Sequence, residues 1–208
     1  MIIGEQVREA PTGWAKELAK FLSRLWSLGT KVAVELKFPV PDYKEKYKAQ
    51  LLDARDCLYP VLRKRSPRVA VNVIDFLEKR FAWYLNGDNF GYEPRLLHGD
   101  LEFWHLFWDK RTGQLKGVID WGGSHLGDPD YDLWRPYCWW GERFIREAGK
   151  ALQIKLSKKF FQKLNFFWDA QMAHRAVRSI VVWGDREGTG WSVNNLVSHV
   201  RKQKGLMR

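Results

Sequence analysis

Asp100, His105 and Asp120 are the residues of this chain best spaced to do chemistry. Leu97-His98-Gly99-Asp100-Leu101-Glu102-Phe103-Trp104-His105 sets a carboxylate and an imidazole five positions apart on one loop. Gly117-Val118-Ile119-Asp120-Trp121-Gly122 adds a second carboxylate at the end of an apolar, strand-like run. A carboxylate that accepts a hydroxyl proton, beside groups that hold a divalent cation, is what phosphoryl transfer requires. A loop leading into a strand lets Asp100 and His105 point into a shared pocket, which Asp120 closes from the strand's end. Gly122 and Gly123 offer a sharp backbone turn beside the cation. The stretch 96–135 carries Asp100, Glu102, Asp109, Asp120, Asp128, Asp130 and Asp132 against Lys110, Arg111, Lys116 and Arg135. It is an acidic island in a chain of net charge +11, and it suits a cation.

These residues need elements to position them. The periodicity predicts a first helix over about 13–28, with Trp14, Leu18, Phe21, Leu22, Leu25 and Trp26 on one face, Thr12 as cap and Gly29 as stop. Residues 37–42 hold two prolines and read as extended loop. A second helix is expected from Asp42 to about Arg65, bent or broken at Pro60. A third is expected from Pro67 to Leu85, ended by Asn86-Gly87-Asp88. Residues 105–108 and 115–119 read as strands joined by the turn Asp109-Lys110-Arg111-Thr112-Gly113, a hairpin with glycine where positive φ is needed. Helices return at about 129–140, 142–152, 157–183 and 191–203. The expectation is an α+β, mainly α-helical single domain over 1–208, whose small β-hairpin carries the reactive residues.

Composition is that of a globular protein, with 45% hydrophobic and 28% charged residues. The 12 tryptophans are expected to fill the core, with ring stacking the minority use. Basic residues are spread over helical stretches, so solvated helix faces account for the charge, and no nucleic-acid-binding motif accompanies them. Two cysteines, Cys57 and Cys138, exclude a disulfide framework and read as free thiols of a reducing cytosol. No signal peptide and no apolar run of about 20 residues is present, which argues against secretion and membrane spanning. A zinc site built from His98, His105 and His125 lacks a recognisable ligand spacing. His125 and His174 read as packing or surface residues.

Four motifs in order carry a family resemblance: His98-Gly99-Asp100, then His105, then Val118-Ile119-Asp120-Trp121-Gly122, then Gly127-Asp128-Pro129-Asp130-Tyr131-Asp132-Leu133. Together they resemble the signature of the aminoglycoside phosphotransferase/choline kinase-like family, whose members have a protein-kinase-like fold. The resemblance implies that Asp100 is the catalytic base, that Asp120 and the residue at His105 hold Mg2+, and that His98, Asp128 and Asp132 brace the catalytic loop. It implies ATP or GTP as co-substrate and a small hydroxylated acceptor: an aminoglycoside, another sugar, or a choline-like or homoserine-like alcohol. The metal position after the base is usually Asn in this family and is His105 here; magnesium prefers oxygen ligands. The bulky Phe103-Trp104 stands where family loops place small or polar residues, and reshapes the acceptor pocket. The C-terminal helices are mostly basic, with Asp169, Asp185 and Glu187 as exceptions, which disfavours a polycationic acceptor.

By the same resemblance, the segment 1–11, with Ile2 and Ile3, looks like the hinge that follows an N-terminal lobe. No glycine-rich loop between strands precedes Gly13. The expectation is therefore a protein-kinase-like C-terminal lobe with the N-lobe absent, from truncation, a start-site error or a split gene. Such a lobe could be an inactive relic or an interaction module, with a missing N-lobe or self-association through the exposed hinge face as partner. A basic nucleic-acid-binding module is the remote alternative.

Overall fold

The structure, a computed structural model, describes residue 10 and residues 12–109, 111–184 and 187–205. In chain order its elements are helices α1 (Trp14–Trp26), α2 (Thr30–Glu35), α3 (Tyr43–Asp53), α4 (Tyr59–Arg65) and α5 (Pro67–Asn86), then strands β1 (Arg95–Leu97), β2 (Leu106–Trp108), β3 (Leu115–Val118) and β4 (His125–Gly127), then helices α6 (Trp134–Ala151), α7 (Lys158–Trp183) and α8 (Glu187–Gln203). The chain divides into two compact units. One comprises the chain up to Pro41 together with Gly91–Asn165; the other comprises Asp42–Phe90 and the chain from Phe166 onward.

The first unit carries all four strands. β1 pairs antiparallel with β4, in the register Arg95↔Gly127, Leu96↔Leu126, Leu97↔His125. β2 pairs antiparallel with β3, Leu106↔Val118 and Phe107↔Gly117, with a break in register between Phe107 and Trp108. The expected hairpin is therefore present, and Gly113 sits at its turn with φ 69°. The β1–β4 pair was not visible in the sequence, because three-residue strands are too short to show alternation. Leu96 and Leu126 from that pair are buried with Leu25 and Ala33, and Phe21, Trp26 and Phe38 pack against them. Burying each such leucine contributes about 1.5–3 kcal/mol. α1 supplies its apolar stripe, Ala15, Leu18, Ala19, Leu22 and Leu25, at helical spacing as expected. Its start differs from expectation: Gly13, at φ 92°, is the N-cap, and no side chain caps the helix.

The second unit is held by rings. Tyr43, Tyr84, Phe81, Phe166 and Phe167 are among the largest fully buried side chains. Tyr84 stacks on Phe166 with ring centres 4.0 Å apart, and Tyr47 and Phe81 meet the same Phe166 ring edge-on at 4.9 and 5.3 Å. Asp42 caps α3, accepting hydrogen bonds from the backbone N–H groups of Lys44 (2.8 Å) and Glu45 (3.0 Å). The bend expected at Pro60 is a π-helical turn, Ala54–Leu58, just before it. Proline lacks an N–H, and its ring would strike the carbonyl four residues earlier. The wider turn absorbs both problems, and the helix resumes.

Three further expectations change in the structure. α2 is an extra short helix in the segment after Gly29. The stretch from Pro129 begins as a 3-10 turn, Pro129–Leu133, before α6, whereas the expected division between residues 140 and 142 is present as a kink of α6 at Gly141 (φ 76°). The tryptophans do not fill the core: among the described residues only Trp134 is buried, whereas Trp104, Trp121 and Trp183 are exposed. Tyrosine, phenylalanine and leucine do the filling, and the indoles line surfaces, several beside the reactive loop.

Candidate active site

The site is built where β1 and β3 deliver their ends. After Leu97 the chain enters His98-Gly99-Asp100, and after Val118 it enters Ile119-Asp120. His98 joins the two: its Nε2–H donates to the carbonyl of Ile119 (3.0 Å), and its Nδ1 accepts from the backbone N–H of Asp100 (3.2 Å). Those two bonds require the neutral ring. Burial, with Ile119's carbonyl pulling the other way, holds the His98 imidazole below its ordinary value. The buried Asp132 accepts from the backbone N–H groups of Gly99 (2.8 Å) and His98 (3.1 Å) and from the Trp26 indole (3.4 Å). Burial pushes the Asp132 carboxyl up to about 6, against the pull of those three donors.

Gly99 has φ 79°, and a Cβ placed there would strike the carbonyl oxygen of Gly123. The His98-Gly99-Asp100 loop and the turn after Asp120 thus touch backbone to backbone. The sharp turn expected at Gly122 and Gly123 is present as the 3-10 turn Trp121–Gly123. The positive φ lies at Gly99 and at Asp120 (φ 64°), not at Gly122 or Gly123, and Gly123 is small because Gly99 faces it. A non-glycine residue in the left-handed region costs of order 1 kcal/mol, and such strain concentrates at functional sites.

Asp100, His105 and Asp120 come together, each offering a ligand atom within 4.8 Å of the others. The His105 Nδ1 lies 2.7 Å from the carbonyl oxygen of Asp100. A carbonyl can only accept, so Nδ1 carries a proton, and Nε2 faces Asp120. That nitrogen lies 3.3 Å from Asp120 Oδ2. The donor set of two carboxylates and one imidazole fits a divalent ion, with carboxylate oxygen the donor that suits Mg2+.

The other two expected braces differ in kind. Asp128 caps the 3-10 turn, accepting from the Asp130 N–H at 3.1 Å, with Pro129 at the first position as expected. Its second oxygen meets Lys163 Nζ at 2.7 Å, and the same ammonium reaches Asp130 at 2.5 Å. Burial and the neighbouring Asp130 push the Asp128 carboxyl up to about 6, while Lys163 opposes them. Asp132 holds the His98-Gly99-Asp100 loop directly, whereas Asp128 anchors the turn that presents Asp132. Ile2 and Ile3, the hinge candidates, lie outside the described residues. The three-histidine zinc alternative finds no support, since His98 uses both ring nitrogens on the backbone and His125 Nδ1 lies 2.7 Å from the carbonyl of Gly123.

Sequence reasoning missed four residues. Arg135, from α6, places Nη2 2.6 Å from Asp100 Oδ1, a charge contact rather than an aligned hydrogen bond. The same guanidinium binds buried Glu102, whose second oxygen accepts from the Trp139 indole at 2.9 Å. Lys163 is the fourth. No local spacing could have found them, because their contacts join positions 33 to 37 residues apart. The one available hint was that buried carboxylates need cations.

Two carboxylates and an imidazole thus converge at the ends of β1 and β3, beside a small hairpin. The chain belongs to the phosphotransferase enzyme family APH, whose family model matches residues 2–166. Among solved structures, the GDP complex of wild-type aminoglycoside 2'-phosphotransferase-IIIa is similar, with a TM-score of 0.81 and 22% identity over 97% of this chain. The GDP and kanamycin complex of an APH(2") enzyme has a TM-score of 0.79 and 22% identity over 100% of this chain. Macrolide 2'-phosphotransferase MphH from Brachybacterium faecium has a TM-score of 0.65 and 16% identity over 90% of this chain. The chain spans 64%, 66% and 61% of those three proteins, respectively. At these identities the likeness establishes the fold, mainly helical and kinase-like. No curated protein matches the chain in sequence.

Proposed function

We propose that this chain is the catalytic C-terminal lobe of a small-molecule kinase that transfers the γ-phosphate of ATP or GTP to a hydroxyl group. The convergence of Asp100, His105 and Asp120 in a chain of this family carries the reading. Asp100 would orient the acceptor hydroxyl and take its proton. Asp120 would hold Mg2+, and His105 would bind the ion or one of its waters. When bound, the ion would neutralise charge on the transferring phosphate. His98 and Asp132 fix the backbone on either side of Gly99, and so hold the base against the metal turn. Nucleotide complexes among the similar proteins support a nucleotide co-substrate, and the kanamycin complex supports a hydroxylated acceptor. Neither Cys57 nor Cys138 is in a disulfide, which fits a reducing cytosol, and no helix among the described residues is long and apolar enough to cross a membrane.

The test is a coupled phosphotransfer assay with ATP or GTP, Mg2+ and hydroxylated acceptors, with Asp100→Asn as control. Turnover should fall by about 10²- to 10⁴-fold in that variant. A rate that survives the substitution would overturn the role of Asp100.

A second reading, of a lobe that works only when covered, is favoured by one observation. Phe107, Ile119 and Trp121, beside the metal turn, are exposed by 51%, 48% and 43%. Large apolar side chains in that concentration are normally covered. Sedimentation velocity should then show self-association that Phe107→Ser with Ile119→Ser removes.

A further inference from the structure

The loop that carries the base also carries an aromatic wall. Trp104 is 51% exposed. It meets Phe103 at 4.8 Å, Trp139 at 5.8 Å and, edge-on, the His105 ring at 5.9 Å. Phe103 and Trp139 meet at 4.7 Å. The wall is anchored to the base by one buried carboxylate. Glu102 accepts from the Trp139 indole with one oxygen and binds Arg135 with the other, and Arg135 reaches Asp100. Trp139, against which Phe103 and Trp104 pack, cannot swing away without disturbing Glu102 and, through Arg135, the Asp100 carboxylate.

The charges beside the wall are already matched. Glu102 is buried against Arg135 and Trp139. Asp100 faces the same guanidinium, and Asp120 faces His105. A polyamine acceptor needs several carboxylates free to receive its ammonium groups, and the chain's net charge of +11 adds long-range repulsion. Aromatic faces instead attract the polarised C–H bonds of a sugar ring and can take one ammonium group by cation–π contact, but they supply no formal negative charge to hold several.

Resting on the phosphotransferase reading, we propose that Phe103, Trp104 and Trp139 form the acceptor subsite, and that it takes a glycoside carrying at most one amine, its reactive sugar stacked through a C–H face. Trp104 is then a specificity-determining residue, and Glu102 and Arg135 are positioning residues that tie the stacked ring to Asp100.

The test uses the whole chain in saturation-transfer NMR titrations at 0.15 M salt, with the monobasic macrolide erythromycin and the polybasic aminoglycoside kanamycin as probes. Erythromycin should bind and kanamycin should not compete with it. Trp104→Ala should weaken erythromycin about tenfold. Its thermal midpoint should match that of the parent chain, because the exposed ring contributes little to the fold. Tighter binding of kanamycin, indifference to Trp104→Ala, or no binding of either probe would each overturn the inference. Mn2+ binding, followed by EPR on the same samples with Asp120→Asn as control, separates the two levels. Mn2+ bound through Asp120 without glycoside binding sinks the acceptor proposal alone. No Mn2+ binding sinks the phosphotransferase reading beneath it.

Discussion

The two units of this chain solve opposite problems. The first buries His98, Glu102, His105, His125, Asp128, Asp132 and Lys163, each tied to backbone or to an opposite charge. The second buries rings, and its charged interior is one focus: Asp169, fully buried, accepts from His199 at 2.6 Å and binds Arg80. Buried polar groups add little net stability, because desolvation offsets most of what their bonds return. They do fix geometry, since each has few arrangements that satisfy it. Packed rings add stability through area and contact, and several packings differ by little. The first unit is therefore organised for position, and the second for cohesion.

Substitutions can break this contrast. Phe81→Ala in the second unit should cost about 3–5 kcal/mol in denaturant unfolding, because a fully buried ring that meets Phe166 is removed from a close-packed interior. Asp132→Ala in the first unit should cost about 2–4 kcal/mol, because it leaves the N–H groups of His98 and Gly99 buried without acceptors. The contrast is sharper in function than in stability. Asp132→Ala should also abolish Mn2+ binding, whereas Phe81→Ala, below its unfolding midpoint, should keep it. Loss of Mn2+ binding in the natively folded Phe81→Ala variant would show that position depends on cohesion as much as on bonding.

The same contrast explains what the sequence could reveal. α1 and α5 were legible because their apolar stripes repeat at helical period. The hairpin was legible because a turn with glycine separates two short apolar runs. Asp100, His105 and Asp120 were legible because the chemistry demands their spacing along a loop and a strand. The β1–β4 pair was not, since its three-residue strands match each other across the 27 intervening positions from Leu97 to His125 rather than any local pattern. Arg135, Glu102 and Trp139 were hidden for the same reason: their bonds form only when α6 meets the loop. The tryptophans misled because composition records how apolar a residue is, not which surface it lines.

Asp120 tests whether position is held at the expense of the backbone. Its side chain is 59% exposed and its φ is 64°, so little packing depends on it. Asp120→Gly should leave unfolding free energy within about 1 kcal/mol of the parent, because relief of the left-handed conformation offsets the greater freedom of the unfolded glycine. Mn2+ binding should vanish in the same variant. A large loss of stability would mean that the carboxylate supports the turn rather than serving an ion.

The smallest expected effect belongs to the second unit and concerns pH. His174 is held below its ordinary value of 6.5, first by burial and then by the charges of Arg178 and Lys46, with Asp53 opposing them. Above about pH 6.5 both folded and unfolded states hold the ring neutral, so His174 contributes no pH dependence there. As pH falls below that value the unfolded chain takes up a proton that the folded unit resists, and stability falls. His174→Gln removes this term. Urea unfolding should therefore show the difference between parent and variant constant from pH 7 to 8 and moving in the variant's favour from pH 6.5 to 5. A difference moving the opposite way would mean that Asp53 outweighs Arg178, Lys46 and burial together, and that the second unit, too, uses a buried charge for position.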